Sequence, residues 1–392
     1  MISRLAICAA LALALCGPAL AEEPAAEGPA WAQSRGPMPF DIIRSLQFLQ
    51  DQVARGNDRA IRVQALLLRR FGPVFLSSGA EVWADPRNRR AAVLFVLSGG
   101  PPAVLKGLMD AGVLPEEQRP LFEGALAYVE NDLGRARDLL SALDLDGVEP
   151  GLAGHIHLVL GQIMQNEDVP GAVEHLDRAR LLAPGGLIEE AALRLEIMLV
   201  DGLGDHAQSD RLARQYFDRY SRSSYSANFE ARFAAIFSDR AQGDAAQTIA
   251  TMDDVIAGLP DDRRRGLYLS VGRRALVEGR LDFAHLSAGR ALAIGGLSQG
   301  DEERARLYDI ASSLAVRPAD EARAALASLS RERLHVEDLK LLDAADEVLA
   351  AIGLPPTNFA AAESEPLDAS PVVDRAERIL SEISSDLGSA SR

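Results

Sequence analysis

The sequence predicts an all-α chain, a tetratricopeptide-like solenoid of helical pairs with an N-terminal helical cap. Three observations carry this. Aromatic residues make up only 5% of the 392 residues, while alanine, leucine and arginine are abundant, a composition that favours helix over strand. No stretch shows the two-residue alternation of a half-buried strand. From about residue 116, one spacing of small residues returns along the chain.

Residues 1–21 read as an export signal, with Arg4 at its positive start and an apolar run over 5–15. Pro18 and the A-x-A site Ala19-Leu20-Ala21 follow. The run is short of the roughly 20 residues that span a bilayer. Cleavage near Glu22 and a soluble periplasmic protein are therefore expected. Leu15 before Cys16 is bulkier than lipoprotein sites use. Cys8 and Cys16 are the only cysteines. A cleaved chain would thus have no disulfide, thiol nucleophile or cysteine metal site.

Residues 22–37 form a proline-rich linker. The segment 38–115 predicts an N-terminal helical subdomain. Asp41 can cap a first helix with Ile42, Ile43, Leu46, Leu49 and Val53 at helical spacing, closed by Gly56-Asn57. A second helix carries Ile61, Ala65, Leu66 and Leu68; a third and fourth cover 91–97 and 103–109.

The segment 116–353 predicts the repeat domain. Paired helices that cross closely need a small residue at the crossing, answered 12, 16 and 19 positions later on the facing helix. Gly124 is followed in that register by Ala136, Leu140 and Leu143, and Gly272 by Ala284, Ala288 and Ala291. Gly161 fits with a turn one residue shorter, through Ala172, Leu176 and Ala179. Gly161 lies 37 residues after Gly124, and Gly272 three such periods further on. Further helices are expected over 188–200, 210–220, 228–238, 245–256, 302–314, 320–329 and 336–352. Residues 354–392 form an acidic, proline-punctuated tail, interrupted by a short amphipathic helix at 371–387. Its apolar stripe is Val372, Ala376, Ile379, Leu380, Ile383 and Leu387, suited to docking on this chain or on another.

Acidic residues outnumber basic ones 57 to 41, which disfavours nucleic acid and anionic lipid as partners of the whole chain. Lys106 and Lys340 are the only lysines, and neither stands in a phosphate-binding loop. His155 and His157, two apart, point to different faces of a helix and cannot share a metal. His175, His206, His285 and His335 read as surface or interface residues. Gly296-Leu297-Ser298-Gln299-Gly300 spells the G-x-S-x-G of a nucleophile elbow, but a helix, not a strand, is expected before it. Glu363-Ser364, the one pair resembling a lytic transglycosylase acid, lies in the tail, where nothing would raise its pKa. No enzyme, cofactor or metal site is expected, and the expected activity is protein binding.

Four blocks resemble the MotC family of periplasmic motility proteins. They are the segment 40–51 (FDIIRSLQFLQD), Asp85-Pro86-Arg87-Asn88 with Ser98-Gly99-Gly100-Pro101-Pro102, the segment 179–194 (ARLLAPGGLIEEAALR), and the segment 219–229 (RYSRSSYSANF), in family order over roughly 38–350. The resemblance implies a protein without turnover that is needed for flagellar rotation and binds the periplasmic part of the stator protein MotB. A general periplasmic adaptor for envelope assembly or secretion is the alternative. Interface energy usually resides in a few aromatics and arginines. Tyr216, Tyr220, Arg222 and Tyr225 are the densest such group. Packing between helices is the other reading of the same residues.

Overall fold

The computed structural model describes residues 36–352. The expected signal, most of the expected linker and the tail with its 371–387 helix lie outside the described residues. Among the described residues there are eighteen α-helices and no strand. They fall into two compact units, one of residues up to Gln50 with Arg59–His155, the other of Asp51–Asp58 with Ile156 onward. The division lies inside a helix at 155/156, whereas the sequence suggested a boundary at 115/116. The first repeat pair stays with the N-terminal unit because its leading helix packs on the two helices before it.

The N-terminal unit contains most of α1 (Pro39–Ala54), α2 (Asp58–Ser77), α3 (Ala80–Trp83), α4 (Pro86–Leu97), α5 (Ala103–Asp110), α6 (Arg119–Val129), α7 (Leu133–Ser141) and the start of α8 (Pro150–Met164). The DPRN block works as a fastener. Asp85 caps α4 by accepting from the Arg87 amide, and Pro86 takes the first helical position, where a missing N–H costs nothing. Asn88 is fully buried. Its Nδ2 donates to the Val82 carbonyl at 2.8 Å and its Oδ1 accepts from the Phe40 amide at 3.1 Å, tying α3 and the start of α1 to α4. The helix α2 runs past Gly72-Pro73, further than its sequence suggests. Phe75 beyond the proline stacks on Phe95 with ring centroids 4.3 Å apart, and this burial outweighs the lost backbone bond.

The second unit is a ladder of pairs: α9 (Val169–Leu182), α10 (Leu187–Gly202), α11 (His206–Tyr220), α12 (Ser226–Arg240), α13 (Ala245–Val255), α14 (Asp261–Val277), α15 (Leu281–Ile294), α16 (Gln299–Ser312), α17 (Ala319–Ala327) and α18 (Val336–Ile352). First helices pack on first helices, α10 on α12, α12 on α14, α14 on α16 and α16 on α18. Second helices pack on second helices, α11 on α13 and α13 on α15. This is the connectivity of a helical-repeat stack. The predicted crossings are present. A Cβ at Gly124 would lie 2.7 Å from Leu140 Cδ2, and one at Gly161 would lie 2.7 Å from Leu176 Cγ. Ala284, Ala288 and Ala291 opposite Gly272 are all fully buried.

Each second helix from α7 to α13 begins at an aspartate cap. Asp132, Asp168, Asp205 and Asp244 accept from the amides of Arg135, Gly171, Gln208 and Gln247. Such a cap contributes about 1 kcal/mol. The series fills the interval between Gly161 and Gly272, where small-residue spacing alone left the repeats degenerate.

Gly161→Ala should cost about 1–3 kcal/mol by overpacking against Leu176. Gly272→Ala meets nothing closer than 3.4 Å, and should gain up to about 1 kcal/mol of helix propensity. Urea denaturation of the two purified variants checks the contrast.

Candidate interaction site

Two of the four family-like blocks, 179–194 and 219–229, meet at one place in the second unit. Its centre is the first turn of α10, where Glu189 and Glu190 are both buried. A helix start favours negative charge, since its free amides and dipole point at it. Glu189 Oε2 accepts from the Gly185 amide at 2.6 Å and from the Tyr220 hydroxyl at 2.9 Å. Its Oε1 accepts from Gln215 Nε2 at 2.9 Å and Arg219 Nη1 at 2.5 Å. The reach back to Gly185 resembles a capping box. Glu190 Oε1 accepts from the Tyr216 hydroxyl at 3.1 Å. Its Oε2 is buried without a hydrogen-bond partner. Burial pushes the Glu190 carboxyl above its usual range, against the Arg194 charge and the Tyr216 bond.

The turn after α11 continues this site. Ser224 donates its amide to the Val53 carbonyl at 3.1 Å, joining the turn to the 51–58 segment. Gly56, with φ +93°, lets the chain pass against Arg222; a Cβ there would lie 2.2 Å from the Arg222 carbonyl oxygen. Of the four residues singled out by composition, Tyr216 and Tyr220 are buried, at 0% and 2% exposure. They are structural donors to the two glutamates, and Tyr216 packs on Phe229 at 3.9 Å between ring centroids. Arg222 is exposed and Tyr225 half-buried. The Arg194 guanidinium lies 5.0 Å from the Tyr225 ring centroid. Of the four, only Arg222 and Tyr225 therefore reach the surface.

Residue spacing did not reveal three features. Arg180 pairs with the buried Glu196, with Nε 2.6 Å from Oε2 and Nη2 3.2 Å from Oε1, and also contacts Asp177. His157 and His175 face each other across α8 and α9, with their Nδ1 atoms 2.8 Å apart. Burial, with the neighbouring His175 and Arg178 charges, pushes His157 down to about 4. Buried Asp338 accepts from the Tyr308 hydroxyl at 2.6 Å and faces Arg304 at 3.2 Å. A buried acid within helix sequence is the one available signal for each carboxylate. Helical registers that bring α8 onto α9 would have found the histidines.

The G-x-S-x-G segment runs from the loop after α15 into the first turn of α16, with a helix and not a strand before it. Ser298 caps α16, accepting from the Asp301 amide at 3.1 Å and donating to Asp301 Oδ2 at 2.8 Å. The Glu363-Ser364 pair lies outside the described residues. Among the described residues no three His, Cys, Asp or Glu side chains group as metal ligands, and no helix is long and apolar enough to cross a membrane.

Burial raises the Glu196 carboxyl to about 7, against the opposing Arg180 charge and bond. A folded pKa above the unfolded one means stability present below about pH 4.5 and lost as pH rises through about 7. Wild type should therefore lose on the order of 3 kcal/mol relative to Glu196→Gln across that window. The variant as reference cancels the histidine titration. Denaturation at several pH values checks it, and a flat difference would show that Arg180 keeps the carboxylate charged throughout.

Comparison with known proteins agrees with the family-like blocks. A family described as chemotaxis protein MotC matches residues 2–388. A relative from Rhizobium meliloti (strain 1021), also described as chemotaxis protein MotC, is 30% identical over 331 residues, covering 83% of this chain and 75% of that one. Among solved structures, the P58(IPK) TPR domain aligns over 81% of this chain and 90% of that one, at 14% identity and a TM-score of 0.28. On the whole-length family match and this relative, the chain belongs to the chemotaxis protein MotC family.

Proposed function

We propose that the protein serves flagellar motility from the periplasm, by binding the periplasmic part of the stator protein MotB without catalysing a reaction. The family match over residues 2–388 carries this reading. The export signal read in residues 1–21 supports the compartment. Helical-repeat stacks expose extended faces suited to protein partners, which supports binding as the mode of action. The exposed Arg222, beside Tyr225 on a rigid base of buried tyrosines, is the surface assigned to the contact. An arginine and an aromatic held in place by groups beneath lose little freedom on binding.

Two measurements test this. An in-frame deletion should leave flagella assembled but poorly rotating, and normal swimming would contradict a motility role. The purified chain should bind the periplasmic part of MotB, and Arg222→Ala with Tyr225→Ala should weaken binding by about tenfold or more at unchanged helical content. Failure of the wild-type chain to bind would assign the motility role to another partner, including the adaptor alternative. Cell fractionation checks the compartment.

A further inference from the structure

The ladder of the second unit runs in pairs up to its last described helix. The helix α10 packs against α11, α12 against α13, α14 against α15 and α16 against α17. The helix α18 takes a first-helix place, against α16 and α17, and no second helix follows it among the described residues. Its surface shows the gap. Val336, Val348 and Ile352 are 68%, 50% and 50% exposed, whereas α12 and α16 expose no large apolar residue. Val348 and Ile352 share one stripe with the exposed Ala344 and the half-buried Leu341, within about 80° of arc at 100° per residue. The stripe adjoins the buried face of Leu342, Ala345 and Leu349. A helical-repeat stack normally ends on a polar outer face, so an apolar stripe on its last helix calls for a cover.

We infer that residues 371–387 supply the second helix of this last pair and close the stack on α18. Their sequence predicts an amphipathic helix as long as α18 itself, 17 residues. The connection starts at the end of α18, in the same unit. Its eighteen residues, Gly353 to Ser370, span up to about 60 Å when extended, against about 25 Å for the length of α18. Short turns, three residues between α14 and α15, make the pairs of this ladder antiparallel. Laid antiparallel on α18, the segment sets Ile383 opposite Leu341, Leu380 opposite Ala344 and Ala376 opposite Val348. The same register brings Arg375 beside Glu347 and Glu382 beside Lys340. Glu347 makes no ion pair among the described residues, and Lys340 holds Glu337 at the exposed surface. Charge and tethering favour this occupant over a second copy. Two α18 helices paired antiparallel over Ala344 and Val348 would set Glu347 near its own copy, whereas the tethered segment meets α18 at an effective concentration near millimolar. The inference is independent of the partner proposed above.

Cysteine pairing in the full chain tests it, with Cys8 and Cys16, the only native cysteines, changed to serine. Ala344→Cys with Leu380→Cys should form an intramolecular disulfide under mild oxidation. Its yield should exceed by about tenfold that of Val277→Cys with Leu380→Cys, as expected for a held contact against a merely tethered one; Val277 is 59% exposed at the end of α14. Val348→Cys should pair with Ala376→Cys in preference to Leu387→Cys, which reads the antiparallel register. Equal yields at Ala344 and Val277 would overturn the inference. Disulfides formed only between chains would assign the stripe to a second copy and overturn it too. A preference of Val348→Cys for Leu387→Cys would refute the antiparallel pair. Hydrogen exchange gives a check without cysteines. Ile379→Asp with Ile383→Asp in the full chain should speed exchange in α18 by about tenfold while α14 stays unchanged, and an unchanged α18 would contradict the closure.

Discussion

Two adjacent carboxylates buried at the first turn of α10 organise the second unit. Removed from water, each ionised carboxylate would carry several kcal/mol of desolvation penalty unless protein donors replace the lost hydration. Glu189 receives four donors, from Gly185, Gln215, Arg219 and Tyr220. Glu190 receives the Tyr216 hydroxyl. These donors come from the turn before α10 and from α11, so satisfying the two carboxylates fixes both segments to the start of α10. The 51–58 segment then closes on the turn after α11 through Ser224 and Gly56. Buried ionic groups often contribute more to a unique arrangement than to stability. Here the arrangement they select is the placement of Arg222 and Tyr225 on the surface above.

This clamp and the repeat ladder do different work. The ladder buries alanine and leucine at close crossings, as at Gly161 against Leu176 or Gly272 against Ala284 and Ala288, and needs no polar group to hold. A stack held that way is tolerant, because each pair touches only its neighbours. The polar clusters mark where the ladder departs from plain repetition. Glu189 and Glu190 hold α11 and the turn before α10 to the start of α10, and Asp338 joins α18 to α14 and α16 through Arg273, Arg304 and Tyr308. Family membership and a helical ladder suit the binding role proposed above, and the clamp adds a polar anchor to one part of the ladder.

Much of the ladder was legible in the sequence. The crossings at Gly124 and Gly161 declare themselves because only a residue without a Cβ tolerates a neighbour at 2.7 Å, and their apolar answers follow at fixed offsets. The middle pairs were illegible by that rule, since their crossings use larger residues. Their aspartate caps, Asp205 and Asp244, kept the period where the crossings lost it. The extent of α2 was hidden by Gly72-Pro73, locally a stop signal that the burial of Phe75 overrides. At the candidate site, composition singled out this segment without separating its buried residues from its surface ones. Tyr216 and Tyr220 occupy one face of α11, four positions apart, and only the buried glutamates opposite show that this face is internal. Arg222 and Tyr225 follow the helix, where the chain turns outward.

Hydrogen exchange on Glu189→Leu tests the organising role of the clamp most directly. Removing this carboxylate leaves the Gly185 amide, the Tyr220 hydroxyl and Arg219 without their acceptor. Protection should fall together in 51–58, 185–190 and 216–226, while α14 to α18 keep theirs. Loss confined to the residues around 189, with 51–58 and the 221–226 turn protected as in wild type, would contradict the account.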